Sequence, residues 1–317
     1  MIRPLLLSLA LLAGAAQAAQ TADADCPPQP AIPTPAQAAA WAAEAPDRGL
    51  LWRISRDGHS SYLFGSLHIG RADWAYPGPA LRAAWARTDV LAVELDPTDV
   101  GAALAQQPSS APLAPAQARR LDAQAQAACL PPGLLGGLPV MLQLSTLALL
   151  DARRDGFDAG FGQDLMLLAR AKREGRPVHA LETLDEQLGA LEPDAADLPA
   201  VIDDTLAQLQ SGEARVPMRK LAAAWAAGDL RTLADYERWC ACVRTPAERA
   251  WLRRVNDGRN GPLAERIAAL HGAGQRLLVA VGALHMSGPQ ALPKLLAARG
   301  FTVERLVPAQ GAGPALP

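Results

Sequence analysis

Short apolar runs separated by polar turns predict a sheet at both ends of this chain. Two runs, Leu50–Ile54 and Ser61–Phe64, flank Asp57-Gly58-His59, and an Asp-Gly pair between such runs is typical of a tight β-hairpin turn. Further apolar runs of strand type lie at residues 89–93, 177–181, 275–281 and 301–307. The last of them alternates apolar and polar positions, which is the pattern of a strand with one exposed face.

Helical patterns fill most of the remaining chain. They cover residues 36–43, 79–87, 114–128, 139–154, 161–174, 184–191, 263–270 and 288–299, with more helix within 198–239. Strands that alternate with helices favour an α/β class. We expect a domain at residues 47–307 with a mixed, largely parallel sheet flanked by helices. A helical insert at about residues 100–260 separates its N- and C-terminal strand regions.

Two matching motifs stand far apart in the sequence. Gly65-Ser66-Leu67-His68 and Gly282-Ala283-Leu284-His285 each follow an apolar run, and the chain has only five His. If the two runs are neighbouring parallel strands, both imidazoles emerge at the carboxyl edge of one sheet. Open α/β sheets bind ligands at that edge.

Two acidic residues, Glu94 and Glu182, also end apolar runs. Two imidazoles and a carboxylate form a common ligand set for a divalent metal, whose chemistry favours hydrolysis. The glycines of the two motifs allow a sharp turn and a close approach of a ligand to the backbone. The alternatives are structural, since a His after a strand is often a hydrogen-bonded packing residue. In the alternative interpretation, Glu94 caps the next segment and Glu182 starts a helix.

The other polar candidates are weaker. Arg259-Asn260 precede a predicted helix and either bind an anionic group or form a surface loop. His59, in the hairpin turn, and His271, at a helix end, are expected to be solvated.

Composition excludes several classes of function. A net charge of −2 gives no basic patch for nucleic acid or an anionic membrane. The sequence has no H-E-x-x-H helix, no G-x-S-x-G elbow, no P-loop and no G-x-G-x-x-G. We therefore exclude the usual zinc protease, serine hydrolase, nucleotidase and dinucleotide-binding classes.

The N-terminus has the layout of a secretory signal peptide. A basic start at Arg3, an apolar stretch over residues 5–16 and a small-x-small site at Ala16-Gln17-Ala18 predict cleavage after residue 18. A Pro- and Ala-rich lead-in at 19–46 and a frayed tail at 308–317 complete the predicted organisation. The mature protein is expected to be periplasmic or secreted, without a stable membrane anchor.

Export makes the four cysteines candidates for disulfides. Cys26 and Cys129 are isolated in the sequence, whereas Cys240 and Cys242 are too close for an easy, unstrained bridge. Four cysteines allow three pairings, and the sequence leaves the choice open. Their role is expected to be structural.

An ordered set of short motifs resembles the TraB/PrgY/GumN family, which includes the Tiki metalloproteases. The resemblance covers roughly residues 50–307. The motifs are Phe64-Gly65-Ser66-Leu67-His68, Val93-Glu94-Leu95-Asp96, Gly162-Gln163-Asp164 through Ala180-Leu181-Glu182-Thr183, Arg259-Asn260 and Val281-Gly282-Ala283-Leu284-His285. The resemblance implies a divalent metal site with His68, His285 and Glu94 as ligands, and peptide-bond hydrolysis as the activity. It assigns no role to Asp164 or Asn260.

Together these observations predict an exported metal-dependent hydrolase acting on a peptide or another small molecule. Manganese, cobalt or zinc is the expected metal. Glu94, Glu182 and Arg259 are the expected catalytic residues, with Glu182 as general base, and Gly65 and Gly282 line the metal site. Two rivals remain, a non-catalytic protein that sequesters a peptide or glycan and a metal-dependent esterase.

Overall fold

The computed structural model of the protein describes residues 26–96 and 113–308. The predicted signal peptide at 1–18 and nearly all of the predicted C-terminal tail lie outside these ranges. Within them, no helix combines the length and the apolar character needed to cross a membrane.

The described strands form one mixed sheet in the order β4-β3-β5-β2-β1-β6. Three neighbouring pairs, β4–β3, β3–β5 and β5–β2, are parallel, while β1 is antiparallel to both β2 and β6. This confirms the predicted α/β class and the mixed, largely parallel sheet. The strands are β1 (Leu50–Arg56), β2 (His59–Ser66), β3 (Val90–Val93), β4 (Val178–Ala180), β5 (Leu277–Gly282) and β6 (Thr302–Val307).

The predicted β1–β2 hairpin is present, and its turn is Asp57-Gly58. Both residues have positive φ, 52° for Asp57 and 79° for Gly58. Two consecutive residues of this kind fit the right-handed twist of the flanking strands, and Asp and Gly tolerate that conformation better than most residues.

Helices surround the sheet and fill the middle of the chain. Their bounds agree with the predicted patterns to within a few residues, with three exceptions. Arg259-Asn260 lie inside a helix, the helix predicted from residue 288 begins at Leu292, and the helix Pro246–Val255 lies in no predicted helical range. The helices are α1 (Pro35–Glu44), α2 (Pro79–Ala86), α3 (Pro115–Ala127), α4 (Val140–Asp151), α5 (Gln163–Glu174), α6 (Leu184–Leu191), α7 (Leu198–Ser211), α8 (Arg215–Ala226), α9 (Leu230–Ala234), α10 (Tyr236–Trp239), α11 (Pro246–Val255), α12 (Asp257–Gly272) and α13 (Leu292–Ala298).

The prediction that Arg259-Asn260 form a surface loop is wrong. Helix α12 begins at Asp257 and includes both residues, with Pro262 inside it. Asn260 is fully buried. The glycines and the proline of this segment favour a turn locally, but the tertiary contacts of the two side chains outweigh that preference.

Two apolar cores hold the structure together. The larger one lies on the sheet and includes the central residues Leu63, Leu91 and Val279, all fully buried. The second joins α3, α4 and α7 through residues such as Leu121, Leu144 and Leu206. The segment predicted as a helical insert is therefore partly a separate helical packing unit, although it also contains β4, which pairs with β3.

Both pairs of cysteines form disulfides. Cys26 is bonded to Cys129, with the Cα atoms 5.6 Å apart, and Cys240 is bonded to Cys242, with the Cα atoms 5.0 Å apart. Both distances lie in the usual range for a disulfide. The sequence left the pairing open, and the structure pairs Cys240 with Cys242 although their spacing predicted no easy, unstrained bridge.

The expectation of a solvated His271 is also wrong, because this residue is fully buried at the end of α12. Its Nδ1 lies 2.9 Å from the Ser61 hydroxyl and its Nε2 lies 3.0 Å from the carbonyl oxygen of Arg56. The ring stacks on His59 with centroids 3.8 Å apart. This pair lies at the start of β2, the end opposite to His68.

Candidate metal centre

The two Gly-x-x-His motifs leave neighbouring parallel strands, as the sequence predicted. Ser66 at the end of β2 is in register with Gly282 at the end of β5. His285 lies in the 3-10 turn Ala283–Met286 that follows β5, and its side chain is 5% exposed. The side chain of His68 is 61% exposed, so the site opens to solvent on that side.

Gly282 is the point on which three predicted metal ligands converge. A Cβ added to Gly282 would lie 3.3 Å from Oε1 of Glu94, 3.5 Å from Cδ2 of His285 and 4.0 Å from Nε2 of His68. We call this space, bounded by Gly282, Glu94, His68 and His285, the Gly282 cradle. A side chain at position 282 would enter the cradle, so glycine keeps it open.

The corresponding glycine of the first motif has different surroundings. A Cβ on Gly65 would lie 2.9 Å from Cγ of Met286 and 3.3 Å from both Ala283 Cα and Leu50 Cβ. Gly65 therefore allows the turn after β5 to pack closely on β2, and the atoms that its missing Cβ would meet are all carbon atoms.

Each imidazole has a hydrogen-bond partner at Nδ1. For His68 it is Oδ2 of Asp164, at 2.8 Å, and for His285 it is Oδ1 of Asn260, at 2.6 Å. Both partners are oxygen acceptors, so both Nδ1 atoms carry a proton, and each ring presents the lone pair of Nε2 when it is in the neutral form. Helices α5 and α12 thereby fix the orientation of the two rings.

Glu94 is held on both oxygens at the end of β3. Oε1 accepts a hydrogen bond from the backbone N–H of Gly282 at 2.7 Å. Oε2 accepts from Nη2 of Arg259 at 2.5 Å and from Nε2 of Gln187 at 3.2 Å. The Oε1 atom faces the cradle, and its distance to Nε2 of His285 is 4.0 Å.

Glu182 joins the site through Arg259. Its Oε1 accepts from Nε of Arg259 at 2.8 Å, and its Oε2 accepts from Nη2 of the same guanidinium. The side chains of Arg259, Glu94 and Glu182 are 11%, 8% and 4% exposed. One buried cation thus binds two buried carboxylates, which is the pairing that buried charges require.

The two imidazoles have opposite electrostatic surroundings. The negative charge of Asp164 raises the pKa of His68 to about 9. Burial lowers the pKa of His285 to about 4, because desolvation disfavours the charged ring.

The carboxylates also differ. Burial opposes ionisation of Glu94, but His285, His68, Arg259 and the Gly282 N–H together hold its pKa at about 2. Burial raises the pKa of Glu182, and its hydrogen bonds with Arg259 act in the other direction. Glu94 is therefore the firmly ionised carboxylate beside the cradle.

The three candidate ligands stand apart from the spacing of a closed coordination shell. In the described ranges, no three His, Cys, Asp or Glu side chains are grouped as a ready metal-binding set. Two ligands with bonds of about 2.1 Å to one tetrahedral ion lie about 3.4 Å apart. The 4.0 Å between Glu94 Oε1 and His285 Nε2 exceeds that spacing by about 0.6 Å.

Comparison with known proteins identifies the family. The profile of the TraB/PrgY/gumN family matches residues 50–305. The chain belongs to this family. The match spans the sheet, the cradle and the helices that support it.

Two proteins similar to this chain carry the name uncharacterized protein YbaP. The one from Shigella flexneri is 27% identical over 244 residues, covering 74% of this chain and 87% of the relative. The one from Escherichia coli strain K12 is 26% identical over 243 residues, with the same coverage of both chains. No solved structure matches the chain significantly.

One contact of the site carried no sequence signal. Gln187, which donates to Glu94, lies in the first half of α6, where a polar residue usually faces solvent. Thr183 caps this helix and Glu186 completes the capping box, so the pattern after Glu182 predicts a helix start and no more. The structure shows that Glu182 both precedes this helix and binds Arg259.

Proposed function

We propose that this member of the TraB/PrgY/gumN family is an exported, metal-dependent hydrolase that cleaves peptide bonds. One observation carries the proposal. Nε2 of His68, the ring of His285 and Oε1 of Glu94 face one cradle, while both Nδ1 atoms are engaged by oxygen acceptors.

The hydrogen bonds of the two rings support a metal-binding role. A metal-binding His usually donates its second ring N–H to a carboxylate or carbonyl oxygen, which fixes the tautomer and the orientation of the ring. Asp164 and Asn260 occupy those positions for His68 and His285. The sequence assigned no role to Asp164 or Asn260, and this contact supplies one.

Charge also fits a divalent cation. Among the described residues of the site, Glu94, Asp164 and Glu182 supply three carboxylates and Arg259 supplies one guanidinium. A metal binds the neutral form of each imidazole, so binding releases the proton that the raised pKa of His68 favours. With both imidazoles neutral, these groups leave two negative charges, which one divalent ion neutralises. Two nitrogen ligands and one oxygen ligand suit manganese, cobalt or zinc.

The side chains around the cradle have distinct tasks in this proposal. His68, His285 and Glu94 hold the metal, which polarises a carbonyl group and makes water a better nucleophile when bound. Arg259 keeps Glu94 ionised and directs its Oε1 towards the cradle. Both oxygens of Glu182 bind Arg259, so its contacts favour a positioning role, and its predicted role as general base stays a prediction.

Export rests on the cysteines and on the predicted signal peptide. Two disulfides are present among the described residues, and disulfides persist mainly in oxidising compartments outside the cytosol. This agrees with a periplasmic or secreted protein. The relationship to the Tiki metalloproteases is likewise part of the proposal.

A peptide library tests the activity directly. Purified protein is incubated with the library and Mn²⁺, Co²⁺ or Zn²⁺, and products are analysed by mass spectrometry. We expect cleavage with at least one metal, loss of cleavage with a chelator, and loss in Glu94→Gln. Binding without cleavage under every metal would overturn the hydrolase proposal in favour of a sequestering protein. Cleavage of ester substrates alone would replace peptides by esters as the substrate class.

A further inference from the structure

The side chain of Ser66 is a buried hydroxyl without a partner. Ser66 is 1% exposed. Within the part of the chain that the structure describes, its Oγ makes no hydrogen bond. Leaving such a group unpaired costs about 1–3 kcal/mol, so native proteins seldom retain one without a use.

The register of the sheet places this hydroxyl beside the cradle. Ser66 pairs with Gly282 across the parallel strands β2 and β5. Residues paired in this way project their side chains from the same face of the sheet. The missing Cβ of Gly282 points at Glu94, His285 and His68, and Ser66 therefore projects from the side on which they converge.

Glu94 and the Nδ1 atoms of the two histidines do not need Ser66. Both oxygens of Glu94 already have donors, and both Nδ1 atoms of the histidines have acceptors. The hydroxyl rotates freely about its C–O bond and donates one hydrogen bond. The Ser66 hydroxyl is therefore free to donate this hydrogen bond to an oxygen atom that enters the cradle.

We propose that the Ser66 hydroxyl donates a hydrogen bond to a water molecule held in the Gly282 cradle. This inference rests on the proposed metal-dependent function and adds a ligand-contacting residue to it. It distinguishes Ser66 from Ser61 on the same strand. Ser61 is also fully buried, but its Oγ contacts His271 Nδ1 at 2.9 Å and accepts from the N–H of Leu277 at 3.0 Å.

The test compares Ser66→Ala with the matched control Ser61→Ala. Mn²⁺ affinity is measured by calorimetry, and the melting temperature is measured without metal. In Ser66→Ala we expect a five- to tenfold weaker affinity for Mn²⁺, because a hydrogen bond to a bound water is lost. The same variant should melt about 2 °C higher, because an unpaired buried hydroxyl is removed. Ser61→Ala should melt lower and keep its Mn²⁺ affinity.

A third variant and the wild-type protein separate the possible failures. Ser66→Thr keeps the hydroxyl and should bind Mn²⁺ within about twofold of the wild-type protein. Wild-type binding of Mn²⁺ with unchanged affinity in Ser66→Ala would overturn the role of Ser66 alone. A lower melting temperature in Ser66→Ala would show that the hydroxyl has a structural partner and would also overturn it. Absence of Mn²⁺ binding to the wild-type protein would overturn the proposed function and, with it, this inference.

Discussion

Replacing Arg259 by Met tests whether one guanidinium compensates two buried carboxylates. The change keeps an unbranched apolar stem and removes the guanidinium with its charge. Glu94 and Glu182, 8% and 4% exposed, would then face each other without a cation. Breaking a buried ion pair by removing one partner costs about 3–5 kcal/mol, and we expect a loss of that size in the free energy of unfolding.

A second arginine on the same helix provides the control. Arg266 lies seven residues after Arg259 in α12 and pairs with Glu186, but these side chains are 39% and 43% exposed. An exposed ion pair contributes at most about 1 kcal/mol. Arg266→Met should therefore cost much less than Arg259→Met, although both remove a guanidinium from α12.

Urea unfolding of the metal-free proteins, followed by tryptophan fluorescence, measures the difference. We expect Arg259→Met to unfold at a clearly lower urea concentration than Arg266→Met, with similar slopes of the transition. If the two variants lose the same free energy, or if Arg259→Met loses less than about 1 kcal/mol, the buried triad does not exist as described.

Three further predictions concern other parts of the structure. Gly282→Ala places a Cβ 3.3 Å from Glu94 Oε1 and should weaken Mn²⁺ binding at least about tenfold while the protein stays folded. The Cβ of Gly65→Ala would lie 2.9 Å from Met286, so this variant should instead lose about 1–3 kcal/mol of stability. Calorimetry and melting curves show whether the two effects separate. Cys26→Ser combined with Cys129→Ser opens a bridge that spans 103 residues and should lower the free energy of unfolding, measured in urea, by about 2–5 kcal/mol. Opening the Cys240–Cys242 bridge, which spans 2 residues, should cost less because a shorter loop restricts the unfolded chain less. Equal losses would contradict this argument. Burial lowers the pKa of His271 below its ordinary 6.5, so as the pH falls the unfolded chain takes up a proton first. The stability that neutral His271 contributes is therefore lost as pH falls below about 6.5. Between pH 7.5 and 5.5 the melting temperature of His271→Asn should fall less than that of the wild-type protein, and an equal fall would refute this.

The sequence predicted the sheet well because buried parallel strands are nearly continuous apolar runs. The runs before His68 and His285 proved to be adjacent strands β2 and β5. The hairpin at Asp57-Gly58 was equally readable, since its turn type demands those residues. In both cases the deciding information is local to a few residues.

The supports of the site depend on contacts that sequence patterns do not show. Arg259 meets Glu94 across 165 residues of chain, and local pattern gives no sign of such a pairing. The turn-forming residues around Arg259 and Asn260 even indicated a loop, although tertiary contacts keep both in α12. Motif order suggested that Asp164 and Asn260 matter, but only the geometry shows that each binds Nδ1 of a different histidine.

Metal content is the most direct test of the account. Purified protein is dialysed against Mn²⁺ and then against buffer, and bound metal is measured by mass spectrometry in the wild-type protein and in His68→Ala, His285→Ala and His179→Ala. His179 lies in β4 of the same sheet and serves as the control. We predict one ion per wild-type and His179→Ala chain and none in the other two, with all four folded by circular dichroism. A metal-free wild-type protein, or full occupancy in His68→Ala and His285→Ala, would contradict the metal centre.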